Sequence, residues 1–221
     1  MNRRLTIAVG IALTVLAVLV GPARAQQPKF DPSDDGLPAG LAAFLEARLL
    51  EGEDKYREAL AAYERALAED PSVVEVRIGF ADLLFRLGVT DRAVSLLEGV
   101  DELDWHGRRV YALALAQFSV QHPERMVEAG AALEEVLGER DDDPNLQLAL
   151  GQLLHRMDRI DEAEAVIAEL RKNRPGSPQL ISYHATLLRQ LERREEAAEL
   201  FAECAASPVM GEQCRDTAVD L

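Results

Sequence analysis

The side chains that could do chemistry in this chain include two cysteines and four histidines. Cys204 and Cys214 lie ten residues apart near the carboxyl end, a spacing that differs from the C-x-x-C of redox pairs. In an exported protein, two nearby cysteines favour a structural disulfide. None of the histidines is spaced for metal binding with another histidine, a cysteine or a carboxylate. They are His106, His122, His155 and His184.

No catalytic motif accompanies these residues. The sequence contains no G-x-S-x-G nucleophile turn, no phosphate-binding loop and no H-E-x-x-H zinc motif, the local patterns that position a nucleophile, a phosphate or a metal. The acidic run from Glu139 to Asp143 lacks the ligand order and the glycine of a calcium loop. His184 is expected in the packed part of its helix hairpin. The sequence therefore predicts a protein that is not an enzyme, with no cofactor and no metal.

The charge of the chain restricts its partners. There are 24 Lys and Arg against 39 Asp and Glu, a formal net charge of −15. Loss of three arginines with the first 25 residues would leave 21 basic against 39 acidic groups, or −18. A surface this acidic repels phosphate backbones and anionic lipid headgroups. We therefore expect no nucleic acid or membrane surface as a partner, and a neutral or basic protein or peptide instead.

The first 25 residues have the composition of an export signal. Two arginines precede an apolar run from Leu5 to Val20, and a small-x-small pattern ends at Ala25. This predicts a cleavable signal peptide over residues 1–25, a mature chain from Gln26 and a periplasmic or secreted location. The alternative is an uncleaved membrane anchor, because an apolar run of this length nearly spans a bilayer. Residues 26–36 are predicted to be a disordered leader.

Beyond the leader, the chain repeats itself at an interval of 34 residues. Pro144 to Ser177 aligns with Pro178 to Gly211, so that proline, small and large apolar positions coincide. In each unit, apolar residues recur three and four apart in two stretches separated by a polar turn, the pattern of two amphipathic helices. A capping residue, Asp143 or Ser177, stands before each opening proline. The sequence therefore predicts an all-α solenoid in which each hairpin packs on the next.

About five antiparallel helix hairpins are expected in this solenoid. Their ranges are 37–71, 72–103, 104–143, 144–177 and 178–211. Ser72 is expected to cap the first helix of the second hairpin, with Glu75 reaching back. In the third, the uniformly small or apolar run from Tyr111 to Ala116 fixes no rotation, so we assign no exposed residues there. Residues 212–221 start a further unit, either as a partial helix that caps the stack or as the front of a longer chain.

The small, large and proline positions of these units resemble the tetratricopeptide repeat (TPR) family. In the last two units the small positions are Gly151, Ala163, Ala185 and Ala197. Upstream, the same register is matched by Ala81, Leu84, Gly88, Ala93, Leu97 and Val100, and by Ala47, Leu50, Tyr56, Ala59, Tyr63, Ala66 and Pro71. The resemblance covers nearly all of the predicted mature chain and implies a superhelix of helix pairs.

In tetratricopeptide proteins the first helix of each pair lines a concave groove, and the resemblance places one set of residues there. These are Phe44, Arg48, Ile78, Asp82, Phe85, Arg86, Leu148, Gln152, His155, Arg156, Thr186 and Arg189. Phe44, Ile78 and Phe85 could anchor an extended or helical peptide. The alternative for Phe44 and Phe85 is packing between adjacent first helices. The lysine and asparagine clamp with which some members bind a terminal carboxylate is absent from these positions.

The resemblance implies a non-enzymatic scaffold of the cell envelope that binds a peptide or protein segment in the groove. An alternative is the amino-terminal repeat region of a longer enzyme or of an outer-membrane assembly or transport protein, whose working domain would follow Leu221. A third hypothesis is a stack that associates with further copies of itself.

Overall fold

The structure, a computed structural model, describes residues 39–205 and Gly211 of the 221. All of the described residues belong to a single compact unit. The predicted signal peptide, the leader, the partial helix at 212–221 and Cys214 lie outside the described residues, so the predictions about them stay predictions.

Ten α-helices and one 3-10 turn make up the regular structure of residues 39–205, a range that contains no β-strand. The helices are α1 Ala39–Gly52, α2 Tyr56–Glu69, α3 Val74–Arg86, α4 Thr90–Leu97, α5 Trp105–Phe118, α6 Met126–Glu139, α7 Pro144–Arg156, α8 Ile160–Asn173, α9 Pro178–Gln190 and α10 Arg194–Ala205; the 3-10 turn is Pro123–Arg125. None of these helices is long and apolar enough to cross a membrane.

Each odd-numbered helix packs against the helix that follows it, which gives five hairpins within the described range. Successive hairpins also touch, through α2 with α3, α4 with α5, α6 with α7 and α8 with α9. In addition, the first helices α3 and α5 contact each other, as do α5 and α7. These contacts confirm the predicted all-α solenoid of antiparallel hairpins, and they bring the first helices together on one face.

Small residues set the close approach of the two helices within a hairpin. A Cβ atom at Gly151 on α7 would lie 2.6 Å from Cδ1 of Ile167 on α8, a distance that real Cβ atoms essentially never show. Ala163, the small residue predicted on the second helix, is fully buried. The backbones of α7 and α8 can therefore approach only because both positions lack a larger side chain.

The turns within four hairpins share one left-handed residue. Asp54, Gly88, Asp158 and Glu192 have φ values of 58°, 78°, 60° and 59°. The first two are 34 residues apart, as are the last two. The third hairpin departs from this turn and passes instead through the 3-10 turn Pro123–Arg125, which explains its irregular sequence.

Two of the three predicted helix caps form, and one is wrong. The Asp143 carboxylate accepts backbone N–H bonds from Asn145 and Leu146 at 2.8 and 3.2 Å, and Ser177 caps α9. Ser72, in contrast, caps nothing: its backbone N–H and its hydroxyl donate to the Asp70 carboxylate at 2.9 and 2.6 Å. Because both bonds hold Ser72 against the Asp70 carboxylate, its hydroxyl oxygen accepts no helix N–H, and α3 begins at Val74 without a side-chain cap.

Candidate functional site

A depression of about 540 Å³ crosses the first helices of the second, third and fourth hairpins. We call it the central pocket. Its lining residues are Asp82, Phe85 and Arg86 on α3, Arg109, Leu113, Ala116 and Gln117 on α5, Val120 just after α5, and Asn145, Leu148, Ala149 and Gln152 on α7. Five of the predicted groove residues are among them, namely Asp82, Phe85, Arg86, Leu148 and Gln152.

The lining of the central pocket is apolar at its deepest point. Leu113 and Ala116 are 7% and 3% exposed and form the floor. Phe85 and Leu148 are half-buried on either side of α5. Val120, at one end, has 54% of its surface exposed. An apolar side chain of a partner would therefore bury carbon surface against three helices at once.

The contribution of α5 is the part of the site that sequence reasoning missed. Arg109, Leu113 and Gln117 recur every four residues on one face of the helix. The apolar run between Arg109 and Gln117 hid this face, because the hydrophobic period alone could not orient a helix that is small or apolar on all sides. The two polar ends of the run, eight residues apart, were the available signal.

At the amino-terminal side of the pocket, charged residues form ion pairs with one another. The Glu51 carboxylate, whose side chain is 8% exposed, accepts hydrogen bonds from the Tyr63 hydroxyl at 2.5 Å and from Arg48 at 3.1 Å. It also pairs with Arg86, which in turn contacts Asp82 at 3.2 Å. Burial and the bond to Glu51 raise the pKa of the Tyr63 hydroxyl. Three predicted groove residues, Arg48, Asp82 and Arg86, thus belong to one ion network.

On the next helix pair, Arg109 and Asp143 join α5 to the start of α7. The Arg109 Nε lies 2.5 Å from an Asp143 carboxylate oxygen, and the two side chains are 20% and 12% exposed. Burial by itself would raise the pKa of Asp143, but the hydrogen bonds from Arg109 and from two α7 backbone N–H groups outweigh it and lower the pKa. Since the same carboxylate also caps α7, it fixes the α7 wall of the pocket to the α5 floor.

The groove continues from α7 towards α9. A smaller depression of about 200 Å³ lies between these helices and shares Asn145, Leu148 and Gln152 with the central pocket. Tyr183 on α9 lines it, and its hydroxyl lies 3.1 Å from Nδ1 of His155. Burial raises the pKa of Tyr183 to about 12.

Seven of the predicted groove residues line neither depression. They are Phe44, Arg48, Ile78, His155, Arg156, Thr186 and Arg189. The Thr186 hydroxyl donates to the Ser182 carbonyl at 2.9 Å, and Arg156 and Arg189 are exposed near the ends of α7 and α9.

The two apolar residues of that set pack inside the stack. Ile78 is 8% exposed, and its Cδ1 lies 2.8 Å from where a Cβ of Gly107 would be, so it joins α3 to α5. The ring of Phe44 on α1 lies 6.0 Å from the ring of Tyr63 on α2, and its Cε2 lies 3.3 Å from where a Cβ of Gly79 on α3 would be. Ile78 therefore packs between α3 and α5 with little surface left for a ligand, and half-buried Phe44 makes the contact between first helices that its packing alternative describes.

The remaining chemical candidates lie in the packed carboxyl-terminal hairpins. His184 is buried, as predicted, and its Nε2 lies 2.8 Å from the Glu164 carboxylate on α8. Cys204 is buried on α10, while its predicted partner lies outside the described residues. Within the part of the chain that the structure describes, no group of three or more His, Cys, Asp or Glu side chains could hold a metal ion.

Comparison with known proteins supports the repeat assignment. The family model described as "Tetratricopeptide repeat" matches residues 50–117 and 123–187, together more than half of the 221 residues. A comparison with curated protein sequences finds no match.

Solved structures with the same fold include YrrB, described as a TPR protein with an unusual peptide-binding site. It has a TM-score of 0.70 at 18% identity, over 85% of this chain and 95% of that one. MamA from Desulfovibrio magneticus has a TM-score of 0.66 at 14% identity, over 80% and 97% of the two chains. TTC0263, a thermophilic TPR protein of Thermus thermophilus, has a TM-score of 0.53 at 20% identity, over 82% and 98%.

At these identities the likeness to each solved structure extends to the fold alone. The family match rests on the sequence itself and covers the second, third and fourth hairpins, which build the central pocket, apart from residues 118–122, together with most of α9. The chain belongs to the tetratricopeptide repeat family.

Proposed function

We propose that this protein is a non-enzymatic scaffold that binds a segment of another protein in the central pocket and along the groove towards α9. The observation that carries the proposal is the central pocket itself, whose apolar lining is built by three first helices from three hairpins. Such a surface offers a partner more buried area than any one hairpin could.

The rigidity of the walls supports this role. The Arg109–Asp143 pair ties α5 to α7, and Glu51 ties α1 to α3 through Arg86. A groove whose walls are already fixed loses little conformational entropy when a partner binds, so more of the contact energy appears as affinity. The peptide-binding site named for YrrB is a property of that protein, and it makes the same kind of ligand reasonable here.

We further propose that the scaffold works in the cell envelope, in the periplasm or outside the cell. This part of the proposal is supported by the sequence of residues 1–25. Mass spectrometry of the protein from its native host should give a mature amino terminus at Gln26. A terminus at the first methionine, in a protein recovered from the cytosol, would refute it.

A pair of matched variants tests the groove. Leu148→Arg places a charge on the apolar wall of the central pocket, whereas Val127→Arg places the same charge on α6, where Val127 is 72% exposed and outside the pocket. We expect cross-linked partners recovered from the native envelope to be retained by Val127→Arg and lost by Leu148→Arg. Equal recovery of partners by the two variants, both shown to be folded by circular dichroism, would refute binding in the central pocket.

A further inference from the structure

The charges around the central pocket cancel within the protein. Three guanidinium groups and three carboxylates take part in the ion pairs at the pocket and its amino-terminal side: Arg48, Arg86 and Arg109, with Glu51, Asp82 and Asp143. Their formal sum is zero, in a chain whose net charge is −15. The pocket is thus locally neutral although the protein as a whole is strongly acidic.

A charged ligand would gain little from such a pocket. Each carboxylate that a lysine could approach is already paired, so a new ion pair would form only by breaking an existing one. Exchange of one partly exposed ion pair for another changes the free energy by little. The acidic surface can raise the encounter rate of a basic partner, but the central pocket itself gives no preference to a basic segment.

The polar groups that remain available are amides. Gln117, Asn145 and Gln152 line the pocket and are exposed, and their side-chain amides have no hydrogen-bond partner among the described residues. Each amide offers an N–H donor and a C=O acceptor, which is the complement of a peptide group. Unlike the charged groups, they can bind a ligand without giving up a partner in the protein.

The spacing of two of these amides matches an extended chain. Asn145 and Gln152 are seven residues apart on α7, with Leu148 between them. Seven residues of helix rise by about 10 Å, which is the length of about three residues of extended chain. A helical ligand would present few free peptide groups, because its own N–H and C=O groups are bonded within the helix.

We infer that the central pocket binds an extended, uncharged segment with an aliphatic side chain. That side chain lies on the floor formed by Leu113 and Ala116 and against the wall residue Leu148, while Gln117, Asn145 and Gln152 bind the main chain beside it. The inference rests on the proposed function and narrows its ligand from any neutral or basic segment to an uncharged, extended one.

A selection from a random library of displayed nine-residue peptides tests the inference on the full chain. Leu148→Arg serves as the counter-selection, so that only peptides that depend on the central pocket are kept. We expect these peptides to be enriched in leucine, valine and isoleucine and depleted in lysine, arginine and acidic residues. Their affinity, measured by fluorescence anisotropy, should change less than twofold between 50 and 500 mM NaCl.

Binding of the peptide main chain by the amides can be measured separately. Methylation of single backbone nitrogens in a selected peptide should weaken binding about tenfold at the positions that face the amides, and Gln152→Leu should weaken it about fivefold. The inference would be overturned, with the proposed groove binding unaffected, by any of three results. These are recovery of lysine-rich peptides, a tenfold or greater loss of affinity in added salt, and helix formation by the peptide on binding. If no peptide depends on Leu148, the proposed function fails together with it.

Discussion

Asp143 has two structural roles, and its replacement by alanine should remove the stabilisation that both provide. The carboxylate caps α7 through two backbone N–H groups, and it pairs with Arg109 at 2.5 Å. Loss of a cap costs about 1 kcal/mol. Loss of the pair leaves the Arg109 guanidinium, whose side chain is 20% exposed, with an unmet hydrogen bond that costs roughly 1–3 kcal/mol. Asp143→Ala should therefore lower the free energy of unfolding by about 2–4 kcal/mol.

Two further variants divide this total. Asp143→Asn keeps an oxygen acceptor at the cap and removes the charge, so it should lose mainly the ion-pair part. Ser177→Ala removes the corresponding cap of α9, where no arginine takes part, and should cost about 1 kcal/mol or less. Urea unfolding can be followed by the fluorescence of Trp105, the sole tryptophan, which lies on α5 four residues before Arg109.

The pH dependence of the free energy of unfolding tests the Arg109–Asp143 pair independently. The pKa of Asp143 is lowered in the folded protein from its ordinary value of 3.8, so the unfolded state binds the proton more tightly. The stability that the carboxylate contributes is complete above the unfolded pKa and disappears as pH falls through the lower, folded value. The difference between the wild type and Asp143→Asn should therefore be constant from pH 7 to about 5 and shrink below about pH 4.

One result would refute this reasoning. If Asp143→Ala destabilises no more than Ser177→Ala, or if the wild-type difference from Asp143→Asn does not depend on pH in the acid range, the Arg109–Asp143 pair contributes nothing. The claim that this pair fixes the α7 wall of the central pocket to the α5 floor would then be wrong.

Two further pairs of substitutions test the packing and the turns. Gly151→Ala should lower the free energy of unfolding by about 1–3 kcal/mol, because its Cβ would lie 2.6 Å from Ile167. Gly138→Ala on α6, where nothing lies within 4 Å, should raise the free energy of unfolding by up to about 1 kcal/mol. A destabilised Gly138→Ala, or an unaffected Gly151→Ala, would contradict the packing. Glu192→Gly should raise thermal stability, since Glu192 holds a φ of 59° that costs about 1 kcal/mol for a residue with a Cβ. Gly88→Ala should lower thermal stability for the same reason. If calorimetry shows the reverse order, these turn residues are not strained.

Much of the fold could be predicted because it follows from local rules. The repeat interval of 34 residues, the apolar spacing and the capping residues Asp143 and Ser177 each act within a few turns of chain. They gave the hairpins and the start of α7 and α9 as the structure has them. Ser72 shows where local rules compete, because its two bonds to the nearby Asp70 carboxylate hold it away from the capping position.

The candidate site was harder to predict because it depends on how helices rotate against each other. The family register predicted Phe85, Leu148 and Ile78 in the groove, and the first two line the central pocket. Ile78 packs instead against α5, where Gly107 leaves room for it, and no single-helix pattern reveals a space on a neighbouring helix. The face of α5 that carries Leu113 was likewise hidden, since its whole run is apolar or small.

The central claim is that another protein lies in the groove of the first helices, and photo-cross-linking in the native host tests it most directly. A photo-reactive phenylalanine derivative is introduced in place of Leu148, in the central pocket, and separately in place of the exposed Val127 on α6. We predict a covalent adduct with a second protein from position 148 and none from position 127. Adducts of equal yield from both positions, or no adduct from position 148, would contradict the account.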